Sequence, residues 1–307
     1  MLRFAAPLTE HAVEREYLFS DGLSINRLEK VDWSRSVARG HLSLGELERL
    51  KSVGFWLCGQ WDMPPHDGFR HLRKAVIAAQ ILCPSGAEGV FLAFHEDSGG
   101  ALENVAIDHE SPLAPALEGH LRELRDSNID LLGTVFLRLG QAYDQRIMRL
   151  VNPVELLFHG LRANNEYISP LLWTAGLDML FMAGGASQFA KRAGSFLGDK
   201  AFVFPPDYAG RQLNYTVEDL AEAVYKFRSV TAHGQHLTGS YLDLENLKYL
   251  NGDVDSPLSP RYRYQLLGDA AVSLLCAVLR RVFIDDLLAT AKTESAWRTL
   301  LRGARVP

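Results

Sequence analysis

Cysteine is scarce in this chain, and long apolar runs are missing. The three cysteines, Cys58, Cys83 and Cys276, are odd in number and far apart, which argues against a disulfide framework and a zinc cluster. We interpret them as buried free thiols. The apolar stretches, such as residues 271–279, are too short to cross a bilayer, and residues 1–7 lack the apolar core of a secretory signal. We therefore expect a cytoplasmic protein that does not enter a membrane.

Glycine patterns that bind nucleotides are also missing. Neither the Walker spacing nor the dinucleotide fingerprint is present, and no Gly-x-Ser-x-Gly elbow occurs. The 307 residues carry a formal net charge of −5, so nothing indicates a nucleic-acid surface overall. The net negative charge lies in the first 119 residues, so the rest of the chain can hold a local basic cleft. The length suits one large domain or two modest ones.

The first third of the chain mixes signals for helices and strands. Ser43 and Glu46 form a capping-box pattern that predicts a helix continuing to about Trp56. Short runs rich in aromatic and β-branched residues predict strands further on. The remaining predicted elements are a loop at residues 62–68, a helix at 69–82, a strand at 89–94 and its partner at 104–107.

From about Pro112 the pattern becomes helical, with apolar residues recurring every three or four positions. Thr216 is placed to cap one of these helices. We expect an α+β fold that is mostly α-helical, with a smaller N-terminal α/β module at residues 1–111 and an antiparallel helical bundle at residues 112–307. The predicted helices cover residues 115–125, 129–152, 164–182, 188–197, about 217–233 and 261–291.

The helix that follows Thr216 ends in residues with distinctive chemistry. Arg228 and Ser229 are followed by His233 and Gly234. Arginine is a permanent cation that can fork onto a phosphate, and histidine exchanges protons near neutral pH. Together the two side chains are a minimal set for cleaving RNA without a metal ion.

Residues from about 160 to 290 resemble a HEPN domain of the Apea-like kind. That family carries, in a late helix, an arginine, a small polar residue, three further residues, a histidine and often a glycine, which residues 228–234 match. Residues 176–181 resemble its apolar helix with one embedded acid, here Asp178, and residues 189–198 resemble its short helix ending in Leu-Gly. The long helix after the motif fits its closing helix.

Two residues depart from the family pattern. Asp178 stands where such families often have glutamate, which shortens the reach of the acid. Gln235 stands where the HEPN partners of nucleotidyltransferases have a tyrosine, so control by modification of that tyrosine is not expected.

The resemblance implies a homodimer that binds RNA, acting in prokaryotic defence or stress. In the dimer cleft, His233 would act as general base or acid and Arg228 would stabilise charge on the phosphate. Ser229 would bond the phosphate or orient His233, and Asp178 would hold Arg228. The expected products are a 2′,3′-cyclic phosphate and a 5′-hydroxyl, and no cofactor or metal is expected.

One helix alone does not aim both side chains at one phosphate. Five residues at about 100° each place Arg228 and His233 about 140° apart around an ideal helix. Either the helix loosens at its end, where Gly234 suits a left-handed conformation, or two copies meet across a two-fold axis and face the pairs into a shared cleft. The resemblance implies the second arrangement.

A noncatalytic interaction module is the alternative function. A histidine before a C-terminal glycine often bonds only the last helix carbonyls, and Asp178 also suits a buried partner of an arginine. In this reading the bundle dimerises, and the N-terminal module recruits a protein partner or senses a ligand. The short basic pairs at residues 191–192 and 280–281 suit either a solvated face or an RNA groove.

Overall fold

The computed structural model describes most of the chain, in two compact units. Of the described residues, 1–109 and 126–140 form the first unit and 141–303 the second. The predicted helix at residues 115–125 and the predicted site residue His233 lie outside the described residues. The fold is α+β and mostly helical, as predicted. The described residues are 1–8, 13–33, 36, 38–84, 90–109, 126–163, 165, 168–198, 207–208, 211–212, 216–232 and 260–303.

A six-stranded antiparallel sheet forms the centre of the first unit. The strand order is β2-β3-β4-β1-β5-β6. The strands are β1 (Leu2–Leu8), β2 (Tyr17–Leu18), β3 (Leu23–Asn26), β4 (Phe55–Trp61), β5 (Val90–Glu96) and β6 (Leu102–His109). The helices are α1 (Ala38–His41), α2 (Leu44–Lys51), α3 (Pro65–Leu82), α4 (Asp126–Ile129) and the first part of α5 (Leu132–Asp144).

Both faces of this sheet are covered, because neighbouring residues of a strand point to opposite sides. On one face α3 packs against β1, β4 and β5. There the ring of Phe4 stacks on Trp61 at 5.7 Å and meets Phe69 edge-on at 5.8 Å. On the other face, Ala5 joins an apolar cluster that includes Leu50 of α2 and other buried residues of the sheet.

A buried asparagine joins the sheet to the segment before α1. The register between β5 and β6 shifts at residues 93–94, and the Asn104 side chain lies beside this irregularity. Its Oδ1 accepts hydrogen bonds from the Ser36 hydroxyl at 3.0 Å and from the Ala38 amide at 2.9 Å. Its Nδ2 donates to the carbonyls of Ala93 and Ala106. The side chain is 1 % exposed and all its polar atoms are bonded.

The second unit is built from helices that pack on one another. The helix α7 packs against α6, α9 and α10, and α8 packs against α9 and α12. A pair of two-residue strands accompanies them. The elements after α5 are α6 (Met148–Arg162), α7 (Ile168–Phe181), α8 (Ala186–Leu197), β7 (Asp207–Tyr208), β8 (Arg211–Gln212), α9 (Val217–Ala232), α10 (Pro260–Ile284), α11 (Leu288–Lys292) and α12 (Glu294–Leu301).

Two N-terminal boundaries were predicted wrongly. The capping box at Ser43 is present, but α2 ends at Lys51, and the run assigned to the end of this helix is the strand β4. A strand buried on both faces is apolar throughout, so its period does not separate it from a buried helix. The segment predicted as a loop at residues 62–68 holds the first turn of α3, which begins at Pro65 because proline suits that turn. The predicted strand pair at 89–94 and 104–107 is confirmed.

The long helices predicted in the C-terminal part are divided or shorter. Instead of one helix at residues 129–152, the chain forms α4, α5 and α6, and the helix predicted at 261–291 is α10 followed by α11. In both cases a non-glycine residue in left-handed conformation interrupts the pattern, Arg146 with φ 52° and Asp286 with φ 55°. The helix α12 was not predicted. The short helix α8 ends before Gly198, as predicted.

The two compact units divide within α5, whereas the expected boundary at residues 111–112 lies outside the described residues. Residues 126–140 belong to the first unit, so the boundary falls within α5, between Gly140 and Gln141. The ring of Phe136 meets that of His71 edge-on at 5.2 Å, which is one of the contacts that hold this segment to the first unit. Among the described residues, no helix is both long and apolar enough to cross a membrane.

Substitution by alanine should have opposite effects on stability at two glycines in the helices of the first unit. A Cβ on Gly68 of α3 would lie 2.0 Å from the ring of Phe4, which is fully buried and held between Trp61 and Phe69. We expect Gly68→Ala to lower the free energy of unfolding by about 1–3 kcal/mol, the usual cost of overpacking. The added methyl group of Gly45→Ala in α2 meets no described residue within 4 Å, so this substitution should raise the free energy of unfolding by up to about 1 kcal/mol. Urea unfolding measures both, and equal effects would contradict the described packing.

The bonds of Asn104 predict a large loss of stability on its removal. Asn104→Ala leaves buried donors and acceptors without partners, each at a cost of about 1–3 kcal/mol, so we expect the free energy of unfolding to fall by about 3 kcal/mol. Glu103→Ala, next to it on the exposed side of β6, is the control and should change little. Urea unfolding followed by circular dichroism makes the comparison; similar stabilities of the two variants would contradict the network.

Candidate functional site

The helix that carries the predicted motif begins at a reciprocal cap. The Thr216 hydroxyl accepts a hydrogen bond from the Asp219 amide at 3.1 Å, and the Asp219 carboxylate accepts from the Thr216 hydroxyl and amide. These bonds satisfy donors that have no partner within the helix. The helix α9 then buries one apolar stripe, which comprises Val217, Leu220, Ala221, Val224 and Phe227. Arg228 and Ser229 follow this stripe and are both half-buried.

An ion pair joins Arg228 of α9 to Asp178 of α7. Nη2 of Arg228 lies 3.5 Å from Oδ2 of Asp178, and the two side chains are 33 % and 25 % exposed. This is the closest approach of the two groups, and the guanidinium carries five N–H donors in all. The structure thus brings together two of the predicted site residues and leaves donors of Arg228 for another acceptor.

Burial raises the pKa of Asp178, and the positive charge of Arg228 and the backbone N–H of Ala183 both oppose this rise. Desolvation disfavours the charged carboxylate, whereas a nearby cation favours it. The Oδ1 atom of Asp178 is buried and has no hydrogen-bond partner among the described residues. The ion pair therefore compensates only part of the cost of burying this carboxylate.

Aromatic rings contact the guanidinium of Arg228 and help to position it. Cζ of Arg228 lies 5.5 Å from the centre of the Tyr225 ring, a distance at which the ring attracts a cation. Tyr225 in turn packs against Phe189 of α8, with ring centres 5.1 Å apart. The position of Arg228 therefore depends on α7, α8 and α9 together.

The end of α7, close to Asp178, is closed by side chains of other helices. Met182 has a left-handed conformation, with φ 51°, and the preceding helix carbonyls need donors from elsewhere. Nη1 of Arg192 donates to the carbonyls of Phe181 and Met182, both at 2.6 Å. Nε1 of Trp297 donates to the carbonyl of Leu180 at 2.6 Å. The arginine and the tryptophan thus cap α7 and attach α8 and α12 to it.

The four predicted site residues have different outcomes. Arg228 and Asp178 are in contact, and Ser229 lies next to Arg228 on the same helix. His233 and Gly234 lie outside the described residues, so the angle between Arg228 and His233 stays a prediction.

Two further charged residues of the bundle were not predicted. Asp269 of α10 is 2 % exposed, and α10 packs against α7 and α9. A single acid within the apolar run of α10 was an available signal, as it was for Asp178. Arg149 of α6 reaches the end of α7, where its Nη1 contacts Sδ of Met182 at 2.6 Å, and no sequence pattern marks this contact.

The raised pKa of Asp178 generates a testable prediction. Arg228→Gln removes the charge that lowers this pKa, so we expect the pKa of Asp178 to rise further. Carboxyl carbon NMR during a pH titration measures it. Arg281→Gln is the control, because Arg281 pairs with Asp285 and should leave Asp178 unchanged. An unchanged or lower pKa in Arg228→Gln would contradict the ion pair.

The same shift predicts how stability depends on pH. A carboxyl whose pKa is higher in the folded than in the unfolded chain binds its proton more tightly when folded. Its contribution to the free energy of unfolding therefore falls as the pH rises from the unfolded to the folded pKa. The Asp178→Asn side chain cannot ionise, so the free energy of unfolding of this variant should lack the decrease that Asp178 causes over this pH interval.

The structure and the comparisons leave this site without an assigned family. Among the residues that the structure describes, no three His, Cys, Asp or Glu side chains are grouped to hold a metal ion. No model of a known protein family matches the chain, and no curated protein or solved structure matches it significantly. A function for the site is therefore inferred from its own residues and from the resemblance of its motif.

Proposed function

We propose that this chain is an RNA-binding protein of the HEPN kind that cleaves RNA without a metal ion, as a homodimer in the cytoplasm of a prokaryote under attack or stress. The proposal rests on the way Arg228 is oriented by an ion pair and is still exposed to water. Asp178 lies 3.5 Å from the guanidinium at the closest approach, while a third of the Arg228 side chain stays exposed. A cation oriented in this way can bind a phosphate with its other donors.

The proposed chemistry needs one more group, which His233 supplies. In the sequence, His233 follows directly on the last residue of α9. As a general base it takes the proton of the RNA 2′-hydroxyl, whose oxygen attacks the phosphorus. The bond from phosphorus to the 5′-oxygen breaks, and a protonated histidine supplies the proton to that oxygen. Arg228 stabilises the charge on the phosphate, and Ser229 bonds a phosphate oxygen or orients His233.

A noncatalytic interaction module is the second candidate. The same ion pair favours it, because Asp178 and Arg228 connect α7 to α9 whether or not RNA binds. The two candidates differ in what happens to RNA and in the role of His233.

RNA cleavage in EDTA tests the proposal. We expect the full chain to produce fragments with 2′,3′-cyclic phosphate and 5′-hydroxyl ends, and His233→Ala and Arg228→Gln each to slow cleavage by about 100-fold or more. Lys226→Gln is the matched control, because Lys226 pairs with Glu222 on the same helix and should not affect the rate. Undiminished cleavage by His233→Ala would remove His233 from the mechanism, and no cleavage by the wild type would favour the noncatalytic module.

Mixing the two inactive variants tests whether the site is shared between subunits. When Arg228→Gln and His233→Ala chains are unfolded together and refolded, each mixed dimer contains one site with both residues intact if the arginine and histidine come from different subunits. We then expect about a quarter of the wild-type activity, from random pairing across a two-fold axis. If both residues act within one subunit, mixing restores nothing.

A further inference from the structure

Three arginines from three helices meet the last turn of α7. Arg228 of α9 pairs with Asp178, Arg192 of α8 bonds the last carbonyls, and Arg149 of α6 contacts the side chain of Met182. Met182 is four positions after Asp178, which corresponds to about one helical turn and a rise of about 6 Å. The three guanidinium groups are therefore gathered at one end of one helix.

Two more arginines approach the same place from α12. Trp297 is bonded to the carbonyl of Leu180, and Arg298 is the next residue. The chain then passes close to α8, because a Cβ on Gly303 would lie 3.0 Å from Oγ of Ser195. Burial lowers the pKa of Arg192, and the charges of Arg298 and Arg302 lower it further. Arg298 and Arg302 are exposed, and their positive charges are close enough to repel that of Arg192.

The five arginines, Arg149, Arg192, Arg228, Arg298 and Arg302, are named here the arginine cluster. The carboxylates that pair with its members among the described residues are Asp178 and Glu294, so positive charge is in excess. The end of α7 adds only a partial negative charge. Capping explains Arg192, but it requires neither Arg298 nor Arg302. A concentration of like charge of this kind is unfavourable by itself and suits an anionic ligand.

The donors in the cluster are arranged to accept such a ligand. Arg192 makes its two carbonyl bonds through Nη1, and Arg228 comes closest to Asp178 with Nη2. Each guanidinium carries five donors in a planar fork that matches a phosphate. Several such forks near one helix end suit a chain of phosphates more than a single small anion.

We propose that the arginine cluster binds the backbone phosphates of single-stranded RNA on either side of the linkage that Arg228 contacts. This inference rests on the proposed function, because Arg228 belongs to both. It adds the path of the RNA, which runs from Arg228 over the end of α7 towards α12. Binding through phosphates is independent of base sequence and weakens with salt.

Salt-dependent binding of a fluorescein-labelled oligouridylate tests this path. Affinity is measured by fluorescence anisotropy at several KCl concentrations in EDTA, in the His233→Ala background so that the RNA stays intact. The slope of log affinity against log salt changes by about 0.7 for each phosphate contact with single strands. We expect the double variant Arg298→Gln/Arg302→Gln to lose about 1.4 from this slope and to bind roughly tenfold more weakly at low salt. Neither substitution removes a cap of α7.

The matched control removes the same charge from the first unit. Arg49→Gln/Lys51→Gln changes two basic residues of α2 and should keep the wild-type slope. If the Arg298/Arg302 variant keeps the wild-type slope, or if the control loses as much, the proposed path is wrong. Cleavage is assayed separately with His233 restored. A reduced slope without any cleavage in wild type supports the path and removes the nuclease, whereas cleavage with an unchanged slope does the reverse.

Discussion

The second unit depends on the last carbonyls of α7, which find no hydrogen-bond donor within their own helix. A helix end within a protein needs hydrogen-bond donors from outside the helix, and here they come from Arg192 of α8 and Trp297 of α12. One turn earlier, Asp178 pairs with Arg228 of α9. A single helix end therefore determines where three other helices lie, and the candidate site is a consequence of how the bundle closes.

This arrangement explains why structural and catalytic roles are hard to separate for the ion pair. Asp178 is costly to bury, and Arg228 is the cation that offsets this cost. The same contact orients a guanidinium that is still partly open to water. In the proposed function, the phosphate binds to the guanidinium donors that Asp178 does not use, and the position of His233 relative to them decides whether cleavage follows.

Local signals in the sequence were sufficient where a feature depends on neighbouring residues. The caps at Ser43 and Thr216 and the helix end at Gly198 are of this kind. Strands buried on both faces, such as β1 and β4, carry no alternation that separates them from helices. Helix ends at Arg146 and Met182 lack the usual glycine. The acid within the apolar α7 was visible, but its distance to Arg228 depends on tertiary packing.

The division of the chain within α5 has a practical consequence for work on its parts. A fragment that starts at residue 112 would include Phe136 without the ring of His71, and Gly133 without the side chain of Phe19 that packs beside it. Apolar surface that belongs to the first unit would then face water and promote aggregation. Expression of the two halves separately is better served by a cut that keeps residues 126–140 with the sheet.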